Sequence, residues 1–211
     1  MKALKSIVVI IALFVLSSNT LFSQITSDTV RYDDGSMFIG KGYLNGVING
    51  YGIMIWSTGE RYEGEWKNTK QHGVGTMRWK NGDVYSGEWV ENNKTGEGKM
   101  KWATGDSYEG NWKNNIKEGQ GKMTWASGTT YDGEWKNDKE NGKGTMKWKT
   151  GDHYEGDWVD SKQEGKGKMK WANGDYYEGG FKNNLVDGKG SMKYASGVVY
   201  KGEWKENNFV K

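Results

Sequence analysis

The sequence contains no cysteine, no proline and only two histidines in 211 residues. Without cysteine there is no disulfide staple, no thiolate nucleophile, no thiolate metal site and no lipid attached through an N-terminal Cys. Without proline the chain is neither collagen-like nor a proline-rich linker. Aliphatic side chains are also scarce: the mean hydropathy is −0.91, so a thick core is excluded. Two residue classes are plentiful instead. Glycine reaches 33, far above the usual share of about 7%. Aromatics make up 14%, which argues against disorder. The length suits one or two domains, but this composition is not that of an ordinary globular one.

The first residues read as an export signal. Lys2 and Lys5 form a positive start, residues 7–16 are ten unbroken apolar residues, and small and polar residues follow at 17–20. Ten residues are too few for a spanning helix, which needs about 20. Cleavage after Ser23 leaves Gln24 first. Removing residues 1–23 takes away two lysines and no acid, so 28 basic residues remain against 27 acidic, a net charge of +1. Nucleic acid is therefore not an expected partner.

One repeat fills the rest. Tyrosines recur every 23 residues at Tyr62, Tyr85, Tyr108, Tyr131, Tyr154, Tyr177 and Tyr200. Two residues after each stands a glycine: Gly64, Gly87, Gly110, Gly133, Gly156, Gly179 and Gly202. Two further on come Trp66, Trp89, Trp112, Trp135, Trp158, Phe181 and Trp204. A second cluster, Gly-x-Gly-x-Met-x-Trp, keeps register and contributes Trp79, Trp102, Trp125, Trp148 and Trp171. The first unit carries one inserted residue before Tyr43. Val30 and Tyr32 match the end of a preceding half-unit. The expected organisation is a signal peptide at 1–23, a half-repeat at 24–34, seven tandem units over 35–196 and a half-repeat at 197–211.

Both runs alternate with period 2, which means strands with alternate residues on opposite faces. Asn81-Gly82 is a strong hairpin signal, and the polar stretch 67–72 reads as the other connection. The predicted fold is all-β: an elongated, single-layer antiparallel meander of tandem β-hairpins, about sixteen strands, preceded by the signal helix. One face is aromatic. Its tyrosine and tryptophan stripes read as the core itself, since a thin sheet has little else to bury. The glycines leave room for rings from neighbouring strands to lie across them. The other face is charged and sorted by strand. First strands carry Glu63, Glu65, Glu88, Glu109, Glu134, Glu155, Asp157 and Glu178; second strands carry Arg78, Lys99, Lys101, Lys122, Lys147, Lys168 and Lys170. Antiparallel pairing is expected to set acids against bases.

The run Tyr62-Glu63-Gly64-Glu65-Trp66-Lys67-Asn68, followed by Gly73-Val74-Gly75, closely resembles the MORN repeat (membrane occupation and recognition nexus). The resemblance covers about residues 35–204. It implies hairpins stacked into an elongated sheet, and roles in scaffolding, protein assembly and association with membranes or anionic lipids. Phe181, Gly180 and the 24-residue first unit depart from the pattern.

No phosphate-binding or kinase pattern and no metal-ligand run is present, and no cofactor is expected. The G-x-G triplets carry no phosphate-binding meaning without a following helix. His72, placed in a hairpin loop, and His153, just before a first strand, fall in different repeat columns. Carboxylate pairs such as Glu63 and Glu65 recur in most units, whereas an enzyme needs one tuned pair in a pocket. Asn93-Lys94-Thr95 fits a glycosylation sequon. The leading expectation is an exported, non-enzymatic scaffold in the periplasm, envelope or medium. It would bind protein partners or associate with itself through sheet edges at Val30, Tyr32, Tyr200 and Trp204. The alternatives are glycan binding by open aromatic faces and binding to an anionic lipid surface. Interleaved acids weaken the lipid reading.

Overall fold

The computed structural model describes residues 28–211, so the expected signal segment lies outside the described residues. Up to Asn93 these form one compact unit, and Lys94–Lys211 form a second. Every regular element in both is a β-strand.

In the first unit, β1 (Asp28–Arg31), β2 (Met37–Gly40), β5 (Gly50–Ile55), β6 (Arg61–Lys67), β7 (Lys70–Arg78) and β8 (Val84–Val90) pair successively and antiparallel. The second unit continues in the same manner. Its strands are β9 (Asn93–Lys101), β10 (Ser107–Lys113), β11 (Ile116–Thr124), β12 (Thr130–Lys136), β13 (Lys139–Lys147), β14 (His153–Val159), β15 (Lys162–Lys170), β16 (Tyr176–Lys182), β17 (Leu185–Lys193) and β18 (Val199–Lys205). The tyrosine of the 23-residue column faces methionine, as in Tyr131↔Met123 and Tyr131↔Met146.

Sixteen strands were expected and 19 are found among the described residues. The additions have local causes. Gly42, at φ 91°, breaks the first hairpin, and its tip continues as β3 (Tyr43–Leu44) and β4 (Val47–Ile48). β19 (Asn208–Phe209) folds back on β18.

The turns differ from expectation. The stretch 67–72 is not a loop. Only Asn68 and Thr69 connect β6 to β7, both left-handed at φ 50° and 63°, and consecutive positive φ values make a type I′ turn. His72 therefore lies inside β7, opposite Glu65. The same turn recurs at Glu91-Asn92, Asn114-Asn115, Asn137-Asp138, Asp160-Ser161, Asn183-Asn184 and Glu206-Asn207, with no glycine in any of them. Asn81-Gly82 is a turn of another kind: only Gly82 has positive φ, and its N–H donates to the carbonyl of Trp79 (3.0 Å).

Candidate interaction surface

The tyrosine column is the centre of the core. Tyr62, Tyr85, Tyr108, Tyr131, Tyr154 and Tyr177 are fully buried, and Trp66, Trp89, Trp112, Trp135, Trp158, Phe181 and Trp204 nearly so. Each ring meets its neighbours edge-on. Tyr131 lies 5.2 Å from Trp135 and 5.4 Å from Trp158, centroid to centroid, at interplanar angles of 89° and 87°. This T-shaped geometry is the one that ring quadrupoles favour. Indole N–H groups of the column donate to glycine carbonyls: Trp135 Nε1 to Gly121 at 2.9 Å and Trp158 Nε1 to Gly144 at 3.2 Å, with Trp204 Nε1 the exception, buried without a partner.

The glycine columns make room for these rings. The ring crossing a glycine pair comes from the same hairpin. Tyr131 runs over Gly133 and Gly144, and a Cβ on Gly144 would stand 2.5 Å from its Cε2 and Cζ. Gly133 has a second constraint, since its Cβ would stand 2.5 Å from the Cα of Gly144.

The second-strand tryptophans Trp79, Trp102, Trp125, Trp148 and Trp171 sit at the turns and are only half-buried. At the other end of the hairpins the aromatic face is closed by a variable column: Gln71, Lys94, Lys117, Glu140 and Gln163. Lys117 Nζ lies 4.0 Å from the Trp135 ring centroid and Lys94 Nζ 4.2 Å from that of Trp112, both cation–π contacts. Burial lowers the Lys117 ammonium from its usual range, against the pull of Asp138 and Glu140.

The charged face is less regular than the column pattern suggested. Lys99–Glu109 (2.7 Å) and Lys168–Glu178 (3.7 Å) are the expected cross-strand pairs. Arg78, Lys101, Lys147 and Lys170 do not face acids. They stand two positions further along their strands, opposite Arg61, Ser107, Thr130 and Tyr176. Several acids serve the backbone instead. Positive-φ glycines such as Gly73 and Gly142 make a bulge in each second strand. The N–H that follows donates to a first-strand carboxylate: Val74 to Glu65 (3.0 Å), Lys143 to Glu134 (2.9 Å), Lys166 to Asp157 (2.9 Å). Burial alone would raise the Asp157 carboxyl, but hydrogen bonds from the Lys143 side chain and the Lys166 backbone hold it below the usual carboxylate range.

On this face the second unit has an open groove of about 820 Å³. Gly133, Gly144, Gly156, Gly167 and Gly179 line it where no side chain stands. Asp132, Glu155 and Glu178 alternate with Lys143, Lys166, Lys168 and Lys189 along its sides, and Gly180 leaves a gap where other units carry an acid or Asn. Among the described residues no cluster of His, Cys, Asp or Glu is placed to hold a metal ion. His72 and His153 lie on β7 and β14, in separate units. The groove offers exposed alternating charges, the chemistry of recognition.

Of the proposed edge residues, Val30 pairs with Phe38 on β2, and the Tyr32 N–H donates to Ser36 at the first turn. Trp204 does not present an edge. It is buried and paired with Phe209 of β19. Tyr200 is the exception in its column, 43% exposed. Sequence reasoning missed a ladder of clasps behind the type I′ turns. The second turn residue accepts a backbone N–H from the preceding unit: Asn92 from Gln71, Asn184 from Gln163 and Asn207 from Val186, each at 2.8 Å. Its signal is the asparagine recurring at that column.

A family model described as MORN repeat matches seven consecutive segments: 42–61, 62–84, 85–107, 108–130, 131–153, 154–176 and 177–199. No curated protein matches the chain. Among solved structures, the chain is similar to the TCP10 domain of Danio rerio CPAP in complex with a peptide of Danio rerio STIL. That match has 9% identity and a TM-score of 0.47, covering 83% of this chain and 78% of that one. It is also similar to the TCP10c domain of Drosophila melanogaster Sas-4, at 12% identity and a TM-score of 0.42, covering 84% and 99%.

Proposed function

The chain belongs to the MORN-repeat family, and we propose that it is an exported, non-enzymatic scaffold that binds protein partners along its charged face. The carrying observation is the division of labour between the faces. The tyrosine column and its tryptophan partners are consumed as core. The charged face keeps a groove over the glycine columns whose alternating charges are exposed. A segment bearing both signs of charge matches the alternation of Lys143, Glu155, Lys166 and Glu178. Export rests on the residues 1–23 pattern.

The test is crosslinking capture by the tagged full chain in its native envelope and medium, read by mass spectrometry. A Lys166→Glu/Lys189→Glu variant runs beside it. Neither ammonium helps to close the aromatic face, so folding is expected to survive. A reproducible protein captured by the parent and lost with the variant supports the reading. Recovery of bait alone overturns it.

A second reading, glycan binding, is favoured by one observation. The turn tryptophans Trp102, Trp125, Trp148 and Trp171 keep part of their rings in solvent. They recur every second strand, about 9.6 Å apart. Trp125→Ala with Trp148→Ala abolishes retention on a polysaccharide column if that reading holds.

A further inference from the structure

The strand edges of the two described units are complementary halves of one missing strand. In each full hairpin the first strand faces the second in a fixed register: Arg61↔Arg78, Tyr62↔Met77, Glu63↔Thr76 near the turn tryptophan, and Trp66↔Gln71, Lys67↔Lys70 near the type I′ turn. β18 is a first strand, and only the opening half of its partner, next to the type I′ turn, is supplied. Trp204↔Phe209 and Lys205↔Asn208 reproduce Trp66↔Gln71 and Lys67↔Lys70. Beyond Glu203, which is hydrogen-bonded to Lys211 and Val210, residues 199–201 have no strand on their outer side among the described residues. Their exposure shows it. Tyr200 is 43% exposed where the six preceding tyrosines are fully buried, and Val199 is 55% exposed.

β1 is the complementary piece. Val30↔Phe38 repeats the relation of Met54↔Tyr62, so β1 is the turn-proximal half of a second strand with Val30 at the methionine column. Its side away from β2 is the side that faces a first strand in every complete hairpin. We infer that β1 of a second copy lies against the outer side of β18, with Thr29 opposite Lys201, Val30 opposite Tyr200 and Arg31 opposite Val199. The inference rests on the scaffold reading and names a second copy of this chain as one partner. Backbone groups on both edges gain partners, and Val30 covers the Tyr200 ring. The pairing stops at Gly202, because the Lys211 carbonyl already fills the space a Cβ there would need. Asp28 accordingly carries a side chain where the other second strands have glycine. The contact joins two different surfaces, so each added copy leaves one of each open and association continues past the dimer.

The chain has no cysteine, which makes a clean test possible. Full chains carrying only Thr29→Cys are mixed with full chains carrying only Lys201→Cys under mild oxidation. Directly opposed residues of an antiparallel pair lie about 4.5–5.5 Å apart at Cα, within disulfide range. Thr29→Cys mixed with Lys189→Cys, which is exposed but away from the edge, is the control. The expected result is a mixed disulfide forming at least about tenfold faster than in the control, with parent mass in sedimentation rising with concentration beyond the dimer. Equal rates, or a parent that stays monomeric at the crosslinking concentration, overturns the inference. A captured protein partner without the crosslink overturns it too, and leaves the scaffold reading standing.

Discussion

The hydroxyl of Tyr108 rests against Gly121 of the facing strand, and a Cβ on that glycine would stand 2.5 Å from the ring's Cζ. The hydroxyl is held there by donating to the carbonyl of Asn111 at 3.0 Å. The ring is wedged between its own unit's Trp112 and the next unit's Trp135, so it has nowhere to move. Gly121→Ala is therefore expected to destabilise the protein by about 1–3 kcal/mol, the usual range for overpacking. Gly110→Val should cost more, since its Cβ meets the Gly121 backbone as well as the ring. Urea midpoints measure both. A Gly121→Ala/Tyr108→Phe double variant should recover part of the loss, because the hydroxyl is one of the atoms in the way.

The buried phenols make the fold sensitive to alkali. Burial pushes Tyr62, Tyr85, Tyr108, Tyr131 and Tyr154 well above the ordinary value near 10, with nearby carboxylates adding to the rise for each. A pKa raised in the folded state gives stability that is complete below the unfolded pKa and lost as pH rises from there through the folded pKa. Stability should hold to about pH 9.5 and then fall, each phenol contributing up to about 1.4 kcal/mol per pH unit. The tyrosinate absorbance of these five phenols should appear together with loss of near-ultraviolet circular dichroism. Ionisation of these tyrosines at pH 10 with the fold intact would contradict the burial.

The strands, the two faces and the glycine columns were legible because a 23-residue period repeats every one of them, so pattern and register reinforce each other. The I′ turns were not. Asp160-Ser161 and Glu91-Asn92 lack the glycine that usually marks positive φ, and the clasp from the neighbouring unit holds them there. The bulge-capping role of Glu65 and Glu134 was also hidden. Alternation alone places them as cross-strand charges, and only the extra residues at Gly73 and Gly142 turn a backbone N–H toward them. The groove depends on where side chains are missing on the charged face, and Gly180 reads in sequence as a mere lapse in the acid column.

Asn184 joins two of these unforeseen features. It is left-handed at φ 70°, and its Oδ1 accepts the Gln163 N–H at 2.8 Å while its own N–H donates to the Gln163 carbonyl at 3.1 Å. Asn184→Ala loses the side-chain acceptor and places an unfavourable residue at positive φ, so a loss of about 1.5–3 kcal/mol is expected. Asn184→Gly removes only the acceptor and should lose about 0.5–1.5 kcal/mol. The difference between the two midpoints isolates the backbone contribution. Equal losses would mean that the left-handed turn matters little.

The two tryptophans Trp158 and Trp204 occupy one column and are equally buried, yet their indole groups differ. Trp158 Nε1 donates to Gly144, whereas Trp204 Nε1 is buried with no partner. A buried donor left unpaired is itself destabilising. Trp158→Phe removes a made hydrogen bond and strands a carbonyl, so it should lower stability by about 1–3 kcal/mol beyond the change in packing. Trp204→Phe deletes a group that gains nothing where it sits, and should be close to neutral or slightly stabilising. Phe181 supports the comparison, since the same column already accommodates phenylalanine at 5% exposure between Tyr154 and Tyr177. Thermal midpoints of the two variants, measured side by side, decide it. A Trp204→Phe loss as large as that of Trp158→Phe would show that the indole nitrogens do not set the difference and that ring volume alone does.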